Sequence, residues 1–458
     1  MLHRSLLKSA TKKKEELPGK LPMKCDIPRD LAEELLSRLT VTSLRGFRSA
    51  CEKCNTLSKD RSFTKKPLAK LTLMSELPRD LLEEILSRLP VTSLRGFRSV
   101  CKKWNTLSKA RSFTKQHIAQ TKAAAAREPM VVMVIDCQVY LMGLDLHGIH
   151  KGVDPFINPQ GKLITLDDSD RVDISQVYHC DGLLLCITKD FARFVVWNPY
   201  SGQTLWPTPR VLRPRLNLYR YAIGYENSNS RRNYKVLRYE DDSTKGVRFA
   251  EYEIYDCNSN TWRVLDVTSD WETEFYARGV SVKGNTYWFA QEKYYGVYDL
   301  ADFLICFDFT RERFGPRLPL PFHSKIEDTV TLSSVGEDQL AVLFQHWDTL
   351  HMEIWVTTKI EPEVALWSKV FLSVAMKPLT DFTNVSFFID QEMKVAVVLD
   401  KDKHVNNPTR NGAYIIGEDG YYREVDLGES TEEFHYPLGC SYVPSSVQIK
   451  QGGKKEEL

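Results

Sequence analysis

The chain is short of cysteine, has no long apolar run and carries almost no net charge. Ten cysteines in 458 residues are too sparse for a disulfide-stapled secreted scaffold, so the composition points to a reducing compartment. No stretch reaches the roughly 18 apolar residues of a membrane helix, which excludes an integral helical membrane protein. Catalytic signatures are missing too. There is no His-Glu-x-x-His, no Gly-x-x-x-x-Gly-Lys-Ser/Thr loop, no Gly-x-Ser-x-Gly elbow and no Gly-x-Gly-x-x-Gly after a strand. His147 and His150 flank a Gly-Ile pair without an evident third ligand and read as loop residues. Cys257 and Cys306 fall on strand-like text and read as small buried hydrophobes. No catalytic residue, metal or cofactor is expected.

What is present is unevenly distributed. Net charge is +2 overall, but residues 1–127 hold 28 Lys and Arg against 12 Asp and Glu, a balance of +16, and the remainder is −14. A basic front and an acidic back imply two modules with different partners. The first 24 residues read as a basic tail, expected to stay disordered in preference to forming an organellar presequence, and 450–458 as a charged tail. At 42% hydrophobic and 27% charged residues, the rest has a globular mix.

The front is organised by a duplication at offset 50. Ile27–Lys66 and Leu77–Gln116 agree at 31 of 40 positions. In the second copy Asp80 precedes Leu81, Leu82, Ile85, Leu86 and Leu89 at helical spacing, and Asp80 with Glu83 makes a capping pair for the first turn. Pro90 ends that helix; Thr92 or Ser93 can cap a second with Leu94 and Phe97. A third runs near Val100–Leu107. About 40 residues in three short helices cannot bury this much apolar surface alone. The surplus at Leu77, Pro78, Leu81, Ile85, Cys101 and Trp104 is made for a partner; the alternative is a self-contained three-helix core.

The string L-P-x-D-L-L-x-E-I-L-S-R-L-P followed by S-L-x-x-F-R-S-V-C-K-x-W resembles the F-box. Leu77, Pro78, Asp80, Leu81, Leu82, Glu84, Ile85, Leu86, Leu89, Pro90, Leu94, Phe97, Arg98, Val100, Cys101, Lys103 and Trp104 carry the likeness. The resemblance implies docking onto the Skp-type adaptor of cullin-based ubiquitin ligases, with Leu77, Pro78, Leu81, Ile85, Leu89, Val100, Cys101 and Trp104 facing the adaptor. The family's adaptor is acidic, which suits a front of +16. In the first copy Cys54, Thr40 and Ala32 stand for Trp104, Pro90 and Leu82. Losing the aromatic anchor, a typical hot spot, marks residues 25–70 as a degenerate copy and 74–118 as the working one. Cys51-x-x-Cys54 has no second ligand pair at metal spacing and reads as structural. The basic residues are scattered without a groove-reading pattern, so nucleic acid is not expected. Residues 119–129, with Ala123–Ala126, read as a helical or flexible linker.

From Pro129 on, short β-branched and aromatic runs alternate with polar turns, and eight of the nine tryptophans lie here. Turns followed by apolar strands recur at 181, 231, 284, 337 and 390, spaced by 50, 53, 53 and 53 residues, with Asp136-Cys137 as an earlier candidate. Between them lies a second text: apolar strand, acid or amide, turn, aromatic. Examples are Phe194–Asn198 with Trp206, Tyr252–Asp256 with Trp262 and Ala413–Gly417 with Tyr421-Tyr422. That is a hairpin whose aromatic packs on its neighbour. A repeat of about 50 residues with about four strands suits a β-propeller blade. Five to seven blades are expected, with Tyr436–Ile449 (within 431–449) as a possible closing strand. A two-sheet sandwich is the alternative.

The text D-G-L-L-L-C, V-W-N-P-x-S-G-x-x-x-W, A-I-G-Y-E and Y-E-I-Y-x-x-x-S-N-x-W-R resembles the F-box-associated domain of plant F-box proteins, similar to Kelch-type propellers, over residues 130–430. The resemblance implies a multidomain α plus all-β chain: two short three-helix F-box units followed by a Kelch-like β-propeller. It implies a non-catalytic receptor in the cytoplasm or nucleus that binds the adaptor, through it cullin, and a protein target. The alternatives are an F-box module not assembled with cullin, or an enzyme whose propeller holds the site. No substrate-binding residue can be named from sequence.

Overall fold

The computed structural model describes residues 102–449 apart from breaks, the longest at 147–155, 163–171, 208–218, 241–250 and 293–300, and six earlier positions: Glu83, Leu86, Ser87, Val91, Leu94 and Arg98. Contacts divide the chain into two compact units, Met1–Leu89 and Pro90–Leu458. In the first unit Glu83, Leu86 and Ser87 are helical. The second opens with helical Val91, Leu94 and Arg98 and continues through α1 (Lys102–Ser108) and α2 (Arg111–Ala125). No helix among the described residues is long and apolar enough to cross a membrane.

Six antiparallel sheets follow, so the C-terminal domain is a six-bladed β-propeller, within the five to seven blades expected. Blade 2 is β4–β7 (Ile174–Cys180, Leu183–Thr188, Phe194–Asn198, Gln203–Leu205) and blade 3 is β8–β11 (Tyr219–Ser228, Arg231–Glu240, Glu251–Asp256, Thr261–Leu265). Blade 4 holds β12–β16 (Trp271–Glu272, Val280–Val282, Asn285–Glu292, Asp302–Asp308, Arg313–Phe314). Blade 5 holds β17–β21 (Thr329–Val335, Gln339–Gln345, His351–Glu361, Val364–Trp367, Leu372–Ala375). Blade 6 is β22–β25 (Ser386–Asp390, Val395–Asp402, Arg410–Gly417, Tyr422–Glu429). Blade 1 joins both ends of the domain: β26 (Leu438–Ser441) pairs with β1 (Met130–Ile135), which pairs with β2 (Gln138–Asp145) and then β3 (Phe156–Lys162). The ring is thus closed by a strand from the far end of the chain.

The recurring turn signals join the first and second strands of blades 2 to 6. Two-residue hairpins of type I′ need positive φ at both central positions, and Asp181 (φ 50°) with Gly182 (φ 76°) and Lys283 (φ 52°) with Gly284 (φ 85°) supply it. Asp136-Cys137 is a tight turn of the same chemistry (φ 47° and 59°). It is not the first member of the series, because it joins the second and third strands of a blade whose first strand is β26. The second recurring text is the outer hairpin of each blade. Asp256 Oδ1 accepts from Asn258 and Ser259 N–H at 2.9 Å each, and Asp308 Oδ1 from Thr310 and Arg311 N–H at 2.8 and 3.0 Å. These bonds pin the turn and bring Trp262 opposite Tyr255 and Phe314 opposite Phe307.

Alternate residues of a strand face different neighbours, so the strands are buried on both sides. Val132 and Val134 pack with blade 2, while Val131 and Met133 pack with blade 6. Six apolar clusters result, each shared by two adjacent blades. Cys180, Cys186, Cys257 and Cys306 are fully or almost fully buried in them as free thiols, and burial raises each thiol far above its usual range.

The two faces of the ring differ. On one, the first-to-second and third-to-fourth strand connections of blades 2 to 6 span two to four residues, as at 181–182, 199–202 and 362–363. On the other, the connections between blades are long, as at 206–218, 266–279 and 315–328. Here they are termed the turn face and the loop face.

Candidate interaction site

Of the adaptor-facing positions, Leu77, Pro78, Leu81, Ile85, Leu89, Val100 and Cys101 lie outside the described residues. Trp104 falls on α1, its side chain likewise outside; Cys51, Cys54, His147 and His150 are outside as well. What is described is how the end of the second helical repeat meets the propeller.

The meeting point is the outer turn of blade 2, Asn198–Gly202. Asn198 caps it as Asp256 and Asp308 cap theirs, its Oδ1 accepting from Tyr200 and Ser201 N–H at 2.9 and 3.1 Å. The turn carries Tyr200, almost fully buried, and burial pushes its phenol up to about 12. Arg98 Nη1 donates to the Tyr200 carbonyl at 2.6 Å, Arg98 Nε donates to Ser108 Oγ at 3.2 Å, and the guanidinium stands 5.5 Å from the centre of the Tyr200 ring. On α2, Phe113 and His117 share one face at a spacing of four. Their rings stack with centroids 5.6 Å apart, and His117 lies 5.5 Å from the Tyr200 ring. Phe113 and His117 are buried. Nothing in the sequence singles out Arg98, His117 or Tyr200 for this joint; Arg98 reads there only as part of the family pattern.

Further along α2, Lys122 pairs with Glu337 in the β17–β18 turn of blade 5. Blades 2 and 5 stand opposite in a ring of six, so α2 crosses the turn face over the axis. An exposed pair of this kind contributes little energy; it marks where the helix lies. Beside it is a cavity of about 170 Å³ whose lining includes His179, Asp181, Arg232, Lys283 and Glu337. Within the lining Arg232 pairs with Asp181, and Tyr234 donates to the same carboxylate. Burial holds His179 down at about 4, hence neutral near pH 7, and its Nε2 accepts from Gly182 N–H at 3.0 Å. Among the described residues no group of three or more His, Cys, Asp or Glu could hold a metal. The geometry describes a joint and a body.

Comparison with known proteins agrees with this division. The family model described as the F-box associated beta propeller domain matches residues 130–449, and the F-box domain model matches twice, at 25–66 and 74–116. An F-box protein of Arabidopsis thaliana is 61% identical over 447 residues, covering 95% of this chain and 98% of its own length. An F-box/kelch-repeat protein of the same plant is 57% identical over 440 residues, covering 93% and 99%. A third, another F-box protein, is 50% identical over 457 residues, covering 93% and 99%.

Proposed function

Because the chain belongs to the plant F-box proteins that carry an F-box associated beta propeller domain, we propose that it is the substrate-recognition subunit of an SCF-type ubiquitin ligase. The second F-box docks a Skp-type adaptor, and through it cullin, by Leu77, Pro78, Leu81, Ile85, Leu89, Val100, Cys101 and Trp104. The propeller binds a protein target on its loop face. The subunit is not itself catalytic: it tethers, raising the effective concentration of target lysines near the charged transfer enzyme.

The observation that carries this reading is the joint on blade 2. A receptor must hold its two partners in a fixed relation, and the Arg98, Phe113 and His117 contacts seat the end of the second F-box on the propeller. They place this helical segment on the turn face, and the target is proposed to bind the opposite, loop face. The first copy cannot reproduce the seat, since Pro67 stands where the second has His117, and proline interrupts a helix interior.

The test is co-purification with the adaptor. Trp104→Ala should weaken capture at least about tenfold, as expected for an interface hot spot, while Cys54→Ala changes it little. Capture abolished by Cys54→Ala and untouched by Trp104→Ala would show the first copy to be the docking one. No capture by the wild type would reduce the chain to an interaction module outside cullin complexes.

A further inference from the structure

The loop face of blades 4 and 5 carries an aromatic side chain that the fold does not use. Trp347 is 60% exposed, whereas the other exposed large apolar side chains, Val264, Leu366 and Tyr422, sit singly on outer strands. Its backbone is held firmly. Leu350 N–H donates to the His346 carbonyl and His346 N–H to the His351 carbonyl, both at 2.9 Å. Trp347 N–H donates to Asp328 Oδ1 at 2.9 Å, and Asp328 Oδ2 accepts from Lys325 N–H at 2.8 Å. The turn is thereby tied to the connection between blades 4 and 5. Among the described residues the indole stacks on no ring and bonds no group. A tryptophan with most of its surface in solvent gains little from burial in the fold, and aromatic anchors of this kind carry much of the binding energy at interfaces.

Its surroundings select the partner's charge. The loop-face connections 266–279, 292–302, 316–328 and 346–350 hold ten Asp and Glu against four Lys and Arg. Two of the acids, Asp302 and Asp328, have buried side chains, and one of the bases, Arg317, is engaged by Asp270 and Glu292 at 2.9 and 2.6 Å. Asp348, the next residue along the chain, pairs with His346 through one carboxylate oxygen, and its side chain is still 54% exposed. We infer that Trp347 anchors a docking surface for a basic segment of a protein, with a Lys or Arg of the partner over the indole face and Asp348 and the neighbouring carboxylates holding the flanking cations. This rests on the reading that the propeller receives a protein target, and it names the chemistry of that target.

The experiment uses the full chain and fluorescein-labelled hexa-arginine, read by anisotropy at low salt, with hexaglutamate as the opposite charge. The wild type should bind hexa-arginine and not hexaglutamate. Trp347→Ala and Asp348→Lys should each weaken binding at least about tenfold. Tyr422→Ala, on an outer strand, and Glu363→Lys, on the turn face, should leave it unchanged. Equal binding by Trp347→Ala and wild type, no binding by the wild type, equal binding of hexaglutamate, or an equal loss in Glu363→Lys would each overturn the inference. Adaptor capture is measured on the same preparations. Its failure counts against the ligase reading alone, and the peptide result still decides the docking surface.

Discussion

Arg98 holds Tyr200 twice: its Nη1 bonds the backbone carbonyl at 2.6 Å and its guanidinium lies 5.5 Å from the ring centre. The two interactions can be separated, because a substitution at 200 removes the ring and keeps the carbonyl. Tyr200→Ala should cost about 3–5 kcal/mol in denaturant unfolding, as for other buried aromatics. In a double-mutant cycle of Arg98→Met with Tyr200→Leu, the coupling should be about 1–2 kcal/mol, the cation–π share. The part of the Arg98→Met loss that persists when Tyr200→Leu is already present reports the bonds to the Tyr200 carbonyl and Ser108 Oγ together. Zero coupling would mean that the guanidinium does not read the ring.

The propeller was legible because its turns leave a chemical mark. Positions that need positive φ favour Gly, Asn and Asp, and that is why Asp181-Gly182 and the Gly284 turn stand out in the recurring series. The same mark misleads at Asp136-Cys137, since a local turn cannot say which strands of a blade it joins. There the missing strand comes from residues 438–441, some 300 positions away. Asn198-Pro199-Tyr200 reads correctly as a turn, but its partners, Arg98 and His117 on one side and the tail beyond Tyr442 on the other, are long-range contacts that leave no periodicity. Gly224 carries its reason equally out of sight: a Cβ there would sit 2.4 Å from the Gly284 carbonyl oxygen of the next blade. Trp347 is hidden for the opposite reason. Among eight tryptophans in strand-rich text, the one that faces solvent looks like the ones that pack.

His179 gives the domain an acid-sensitive element. Its half-buried ring stands edge-on to Tyr442, with centroids 5.6 Å apart, and its Nε2 must stay unprotonated to accept from Gly182. Burial holds its folded pKa near 4, below the ordinary 6.5, against the opposing pull of Asp181 and Glu337. Between those values the unfolded chain binds the proton more readily, so stability is whole above pH 6.5 and falls as the pH drops towards 4. The loss amounts to about 3 kcal/mol. His179→Gln keeps an acceptor for Gly182 N–H and does not titrate. Thermal melts at about pH 7 and about pH 4.5 should therefore show a larger drop for the wild type than for the variant; equal drops would remove His179 as the cause.

The tail beyond the closing strand is bonded by the carboxamide of Asn198. Asn198 Nδ2 donates to the Ser445 and Val447 carbonyls at 3.1 and 2.8 Å, while its Oδ1 caps the turn that carries Tyr200. The tail also presses on the β4–β5 turn, where a Cβ on Gly182 (φ 76°) would meet Ser445 Cβ at 2.3 Å. The equivalent turns in blades 3 and 4 are capped by Asp256 and Asp308, so an aspartate at 198 can make the turn. It cannot donate to the two carbonyls, and it would set a negative charge against them. Asn198→Asp should thus lose about 2–4 kcal/mol in unfolding, through the tail and not through the turn. Truncation after Pro437 removes β26 itself, strips blade 1 of its innermost strand and should abolish cooperative unfolding of the domain. If Asn198→Asp unfolds like the wild type while the truncation collapses, the ring is closed by the β1–β26 pairing alone, and the carboxamide serves only to shape the seat beneath Arg98.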